Sequence, residues 1–405
     1  MAALAWAGCG GGAPRHPAGV PARHVALIER RVERLRGLRF LHPVPVAVVS
    51  AAAARRAGLE DFRRSEPRAR EAADEEELKL LALIGPRESL RAIAASVYGE
   101  QVAGFYDPRR RRLALVRGAG VDDLTLAHEL THALEDQHFD LDRLQSSASG
   151  DAAAGVQGLV EGDAMEVEER YAMRYPGALS FGQAMSALGQ VAGATPLPGA
   201  VERELLFPYT AGLRYVGALV AAGHGWRLVN EALRGRPPRS TAEVIDPRRW
   251  LRHERPAAVG LPRGPGRGWR RLSQSTFGEA DLRELLRPAA GGAGAAVLAA
   301  TWRGGREALW RRGPLPDASC AAPCRRRDVL VIAVRAGDAA GRRGLAAALG
   351  AWVQVGLHGR PSGAATWRLP GGTAAAVGDR GSEVRLALAP NASLAGRLLA
   401  DGAAR

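Results

Sequence analysis

One stretch constrains this chain more than any other: "LTLAHELTHALEDQHFDL", Leu124 to Leu141. It carries two histidines four residues apart with a glutamate between them. At about 100° per residue, His128 and His132 fall only about 40° apart on one helical face, the spacing that lets two imidazoles grip a single ion. Glu129 lies beside that face, where a carboxylate can hydrogen-bond metal-bound water. Leu126, Leu130, Ala133 and Leu134 make the same helix buriable. With 9 histidines and 42 acidic residues in 405, chance supplies at most about 0.02 matches to such a pattern. The bland alternative is an amphipathic helix with two surface histidines.

A catalytic zinc site wants three protein ligands and one open position, so the sequence must offer one more. His138 sits where the third histidine of HExxHxxGxxH would be, which is the metzincin arrangement. The residue at the glycine of that pattern is Glu135, a good helix former in place of one that lets the chain turn back. If the helix continues, His138 points about 100° away from the midline of the other two. Glu161, in "QGLVEGDAMEVEERY" (Gln157–Tyr171), is the better candidate. Val156, Leu159, Val160, Ala164, Val167 and Tyr171 form an apolar helical face beside a stripe of Gln157, Glu161 and Glu168. A buried carboxylate there is costly without a compensating cation. Gly162 and Ala164 are small enough to let the two helices approach closely.

The rest of the chain organises around this pair. Residues 1–21 contain "AGCGGG", which reads as a truncated lipoprotein signal and tether with Cys9 as a candidate lipid anchor. Residues 22–255 read as the main domain, mostly helical, with a strand at "PVPVAVVS" and a hairpin at "GFYDPRRRRLALV" just before the HExxH helix. The Pro/Gly/Arg-rich segment 256–268 reads as a linker. Strands at "DVLVIAV" and "EVRLALA" and a helix near Arg342–Val353 make 269–405 a smaller α/β module. Overall the fold class is α+β. No run of 18 apolar residues is seen, so no membrane-spanning helix is expected. The net charge of +14 is almost entirely dispersed arginine, and with few aromatics it does not indicate specific nucleic-acid binding. Cys320 and Cys324, in "CAAPC", allow a small disulfide loop in an oxidising compartment or two free thiols. They lack the neighbours a zinc knuckle needs.

An HExxH helix followed by a glutamate in "VEGDA" resembles the gluzincin zinc peptidases. Taken in order, "GFYDP", "LAHELTHALEDQHFDL", "LVEGDA", "FPYTAGLRYV" and "PPRSTAEVIDP" resemble a largely uncharacterised group of bacterial HExxH proteins, many of them predicted lipoproteins. The resemblance implies a zincin-like domain with an edge strand before the HExxH helix, and an extracytoplasmic zinc metallopeptidase acting on peptides or proteins. It implies His128, His132 and Glu161 as Zn2+ ligands and Glu129 as general base on a zinc-bound water. Tyr209 and Arg239 are candidates to stabilise the oxyanion, and Phe105 or Tyr106 to shape a side-chain pocket. Asp246 stands where a histidine is expected, and Met165 replaces an expected outer carboxylate, leaving that role to Asp163 or Glu168. Two other readings stay open: a non-catalytic metal-binding or structural lipoprotein, and a metzincin-like site using His138.

Overall fold

The computed structural model describes residues 20–65, 68–100, 103–175, 197–313 and 322–400. The expected anchor Cys9, most of the tether and Cys320 lie outside them. The architecture is α+β, with two sheets that share no strand.

The HExxH helix, α5 (Asp123–Phe139 of the chain, preceded by α1 Ala22–Arg36, α2 Ala51–Ser65, α3 Arg68–Leu80 and α4 Leu90–Glu100), sits at the centre of the first half. Its start is fixed by Asp122, whose side chain accepts from the Thr125 amide at 2.7 Å, a standard way to satisfy a free first-turn N–H. It ends at Asp140, which takes the left-handed conformation at φ 57°. Between these caps almost every residue is buried, polar ones included. Helix α1 covers one side through Val25, Ile28 and Val32, in a core shared with Leu126, Ala127, Leu130 and Ala133.

A three-stranded sheet lies against α5. Strand β1 (Val46–Val49) runs parallel to β3 (Arg112–Val116), which pairs antiparallel with β2 (Gly104–Asp107). The expected hairpin is therefore β2–β3, and β2 is an edge of the sheet.

After the short α6 (Leu141–Ser146) comes α7 (Asp151–Arg174), the helix that carries Glu161. It packs on α8 (Gly199–Gly223) almost backbone to backbone. A Cβ added at Gly162 would collide with the Gly212 backbone, and one at Gly212 would collide with that of Gly158. Glycine at these positions is what permits the approach, since any side chain would hold the helices apart. Helix α8 is long and apolar enough to cross a membrane by length and composition alone, although Arg214 interrupts its apolar run. Here it packs as a core helix: Tyr215, Val216 and Leu219 are buried in a cluster with Leu228, Val229 and Trp250. These come from α9 (Arg227–Gly235) and α11 (Pro247–Leu251), with α10 (Thr241–Ile245) between them.

The second half is a seven-stranded antiparallel sheet in the order β4-β5-β6-β10-β9-β8-β7. It comprises β4 (Trp269–Thr276), β5 (Trp302–Arg312), β6 (Asp328–Ala336), β7 (Arg360–Gly363), β8 (Thr366–Arg368), β9 (Ala374–Arg380) and β10 (Glu383–Ala389). Successive side chains of a strand point to opposite faces, and β6 shows it. Leu330, Ile332 and Val334 face α12 (Glu279–Ala299) and α13 (Ala339–Val355). Val329, Val331 and Ala333 face α14 (Ala392–Ala400). Residues 256–268, expected as a linker, lie along this second face, with Val259 and Leu261 buried in the same cluster.

The halves are joined through α3 and the start of α7. Ala73, Leu80 and Leu81 enter the core of the second half. The Asp151 amide donates to Thr276 Oγ1 at 2.8 Å, and the Thr241 amide donates to Asp151 Oδ1 at 3.1 Å. Glu76 reaches Arg311 at 3.0 Å.

Candidate metal centre

Helices α5 and α7 bring three donor atoms together. Nε2 of His128 and Nε2 of His132 are 3.1 Å apart. Oε2 of Glu161 lies 3.3 Å from the first and 3.5 Å from the second. All three residues are buried, His128 being 7% exposed, His132 2% and Glu161 4%. Oε2 of Glu161 makes no hydrogen bond despite being enclosed. A buried carboxylate oxygen held within ion-pair distance of two imidazole nitrogens is a place that a cation can occupy.

The geometry passes a quantitative check. Donors placed about 2.0–2.1 Å from a tetrahedral zinc are about 3.3–3.4 Å from one another. The three separations bracket that value, and the donor set of two imidazoles and one carboxylate suits zinc. The residues present therefore fit the ion.

Electrostatics point the same way. Burial by itself lowers the pKa of the His128 imidazole, but the carboxylates of Glu161 and Glu168 more than offset it and raise it to about 9. Burial likewise opposes the charge on His132, yet Glu161 and Glu135 hold its pKa well above the usual range. Glu161 moves the other way: burial would raise it, but the two histidines bring it down to about 2. The pocket is built to hold positive charge.

The far nitrogens of both histidines are engaged. Nδ1 of His128 is 3.2 Å from Glu168 Oε2, and Nδ1 of His132 is 3.0 Å from Glu135 Oε2. Imidazoles that bind metal commonly have such carboxylate partners, which fix ring orientation and tautomer. Behind Glu135 stands Asp163, whose charge, after burial, pushes the Glu135 carboxyl well above its ordinary range. Asp163 in turn accepts from Arg36 Nε at 2.9 Å. Arg36 also donates to Asn230 at 2.7 Å and stacks over Trp226 at 4.3 Å. The outer support expected from Asp163 or Glu168 thus involves both, at different distances from the centre. Glu135 was not expected there. Its signal was available, because three residues after His132 is the same helical face.

Glu129, next to His128, accepts a hydrogen bond on Oε2 from the Tyr106 amide at 2.7 Å. The Tyr106 hydroxyl donates to Asp136 at 2.8 Å. Tyr106 is 1% exposed, so it braces α5 against β2 and does not shape an open pocket. Burial raises the pKa of the Glu129 carboxyl above its ordinary value, against the pull of the two histidines.

The other candidates divide. The Tyr209 ring is 6.4 Å from that of His128. Arg239 has an exposed side chain and gives its amide to Glu243 at 2.6 Å. His138 stands near the end of α5, where Nε2 meets the Arg39 carbonyl at 2.8 Å. Asp246 caps α11 and pairs with Arg248 at 2.7 Å, a structural role. Cys324 is in a disulfide.

No protein-family model matches the chain, and no curated protein matches it. One solved structure, described as a "putative hydrolase with a novel fold" from Chloroflexus aurantiacus, aligns at 22% identity. The alignment covers 58% of this chain and 89% of that one, with a TM-score of 0.38. That likeness is too distant to carry an argument about fold or chemistry.

Proposed function

We propose that this chain is a zinc-dependent metallopeptidase of the gluzincin type, with His128, His132 and Glu161 as ligands and Glu129 as general base. One observation carries the reading. Three buried donor atoms, two imidazole nitrogens and one carboxylate oxygen, lie 3.1, 3.3 and 3.5 Å from one another. A divalent ion, when bound, supplies Lewis acidity toward a carbonyl oxygen and brings water's pKa toward neutrality.

The chain's own residues supply the rest. Glu129 takes the proton of the attacking water and delivers it to the leaving amine. The Tyr106 amide fixes one of its oxygens, so the base is oriented before substrate arrives. Tyr209, beside His128, is the candidate donor to the developing oxyanion. Arg239 is not retained in that role, since its side chain is turned to solvent.

The edge strand supports a peptide substrate. The Val116 amide bonds to the Ala103 carbonyl, so by antiparallel alternation the Gly104 backbone groups and the Tyr106 carbonyl are directed away from β3, the Tyr106 amide being taken by Glu129. An extended peptide can add to such an edge. The disulfide at Cys324 supports an extracytoplasmic location, since disulfides persist in oxidising compartments.

The competing reading is a metal-binding protein without turnover. Peptide or casein cleavage by the zinc-loaded protein and its Glu129→Gln variant separates the two. The variant should bind zinc like the wild type and lose about 10²–10⁴-fold in rate, the range supplied by a general base. Absence of cleavage of any peptide in a broad library by zinc-loaded wild type would reject the peptidase.

A further inference from the structure

A cavity of about 440 Å³ lies between α3, α7, α8 and the second half of the chain. It stops one helical turn short of the ligands: Gln157 lines it, four residues before Glu161 on α7. That offset is about 6 Å along the helix. On α8 it is lined by Pro208 and Thr210, the neighbours of Tyr209. Its walls are largely apolar, with Leu78, Leu81, Val201 and Phe207 among them.

Among the carboxylates that line this space are Glu77, Glu204 and Glu307, from α3, α8 and β5. Glu77 is only 9% exposed. Among the described residues none of the three receives a hydrogen bond or an ion pair from an arginine, lysine or histidine. Three of the four arginines that line the cavity pair with carboxylates other than these three. Arg203 pairs with Glu284 at 2.8 Å, Arg287 with Glu284 at 3.3 Å and Arg283 with Glu279 at 2.6 Å; Arg214 is exposed. Among the described residues, Glu77 takes its side-chain hydrogen bond from another carboxyl group, Glu307. Burial raises the pKa of all three groups, Glu204 to about 8. Carboxylates in an apolar cavity with no arginine, lysine or histidine partner among the described residues are costly to ionise, and a cation entering the space relieves that cost.

We propose that this cavity binds a basic side chain: a guanidinium or ammonium group facing Glu77, Glu204 and Glu307, with its aliphatic stem against the apolar walls. As a subsite for substrate, this rests on the peptidase reading above. Consecutive peptide residues are about 3.3–3.6 Å apart, so a side chain one or two residues from the scissile bond can enter it. The enzyme would then cut near arginine or lysine.

The test has two arms, so that the cavity and the peptidase can fail separately. In the first, Nα-acetyl-arginine methylamide is titrated into the full-length protein, with the neutral citrulline analogue as control. The arginine compound should bind at least about tenfold more tightly than citrulline, as expected for charge-assisted hydrogen bonds. The Glu77→Gln/Glu307→Gln double variant should abolish that preference. Because Glu77→Gln and Glu307→Gln remove mutual repulsion, folding is expected to survive, and urea unfolding checks it. In the second arm, peptides with arginine or citrulline near the scissile bond are compared. Preference for arginine over citrulline should vanish in the double variant. Arginine binding without any cleavage would keep the cavity and reject the peptidase. Equal binding of the two compounds by wild type, or an undiminished preference in the double variant, would overturn the proposal.

Discussion

Oε2 of Glu135 lies 3.0 Å from Nδ1 of His132, and the Glu135 side chain is fully enclosed. This residue occupies the position where a metzincin would need glycine. It keeps α5 helical through Asp136 and beyond, and it braces the ring of a candidate ligand. Loss of such an outer partner typically costs about 10–100-fold in metal affinity. Glu135→Gln is expected to fall in that range, read by competition with a chromophoric chelator. An unchanged zinc affinity would mean that the contact orients nothing.

The ligand set makes a sharper contrast. Glu161→Ala removes a donor and leaves two imidazoles, so zinc affinity should drop by more than the outer-partner range of about 10–100-fold. His138→Ala should leave it unchanged, because His138 meets the Arg39 carbonyl at 2.8 Å. Zinc retention after dialysis, measured for both variants, decides between them. The reverse pattern would restore the metzincin arrangement.

The close approach of α7 and α8 sets where Glu161 stands. Gly162→Ala places a methyl against the Gly212 backbone. Overpacking of this kind costs about 1–3 kcal/mol or more. The urea midpoint should fall accordingly, and zinc affinity should fall with it because Glu161 moves with its helix. A stable variant with wild-type affinity would show that the helices can part without disturbing the centre.

The joint between the halves is expected to depend on pH. Burial, aided by Asp281, raises the Asp151 carboxyl from 3.8 to about 7. Below about pH 4 both folded and unfolded chains keep this proton, and its contribution to stability is fully present. As pH rises toward 7 the unfolded chain gives up the proton while the folded chain holds it, so stability declines. Asp151→Asn cannot titrate but keeps an oxygen for the Thr241 amide. Between pH 5 and 7 the wild type should lose on the order of 2 kcal/mol relative to this variant, measured by urea unfolding. Parallel pH profiles would refute the assignment.

Much of the centre was legible because helical spacing is rigid. His128 and His132 share a face by arithmetic alone, and Glu161 stood out as a carboxylate among Leu159, Val160, Gly162 and Ala164. Other parts were hidden for physical reasons. Arg36, which anchors the outer network from α1, carries no distinguishing mark among so many arginines. Glu135 was weighed only as a helix former, which obscured its second role. Tyr106 looked like a pocket residue because aromatic edge strands often line sites. Its burial depends on Asp136, which sequence spacing does not pair with it. Strands β4 and β5, "WRRLSQST" and "WRGGREALWRR", lack the apolar runs of β6, "DVLVIAVRA", and β10, "EVRLALA". Their arginines instead point to solvent or find partners such as Asp328, bonded to Arg311 at 2.6 Å.

The central claim is the identity of the three ligands, and anomalous X-ray scattering at the zinc edge from crystals of the zinc-loaded protein tests it most directly. The account predicts one strong peak about 2.0–2.2 Å from Nε2 of His128, Nε2 of His132 and a carboxylate oxygen of Glu161. A peak bonded to His138 with Glu161 remote, or no peak between the two histidines, would contradict it.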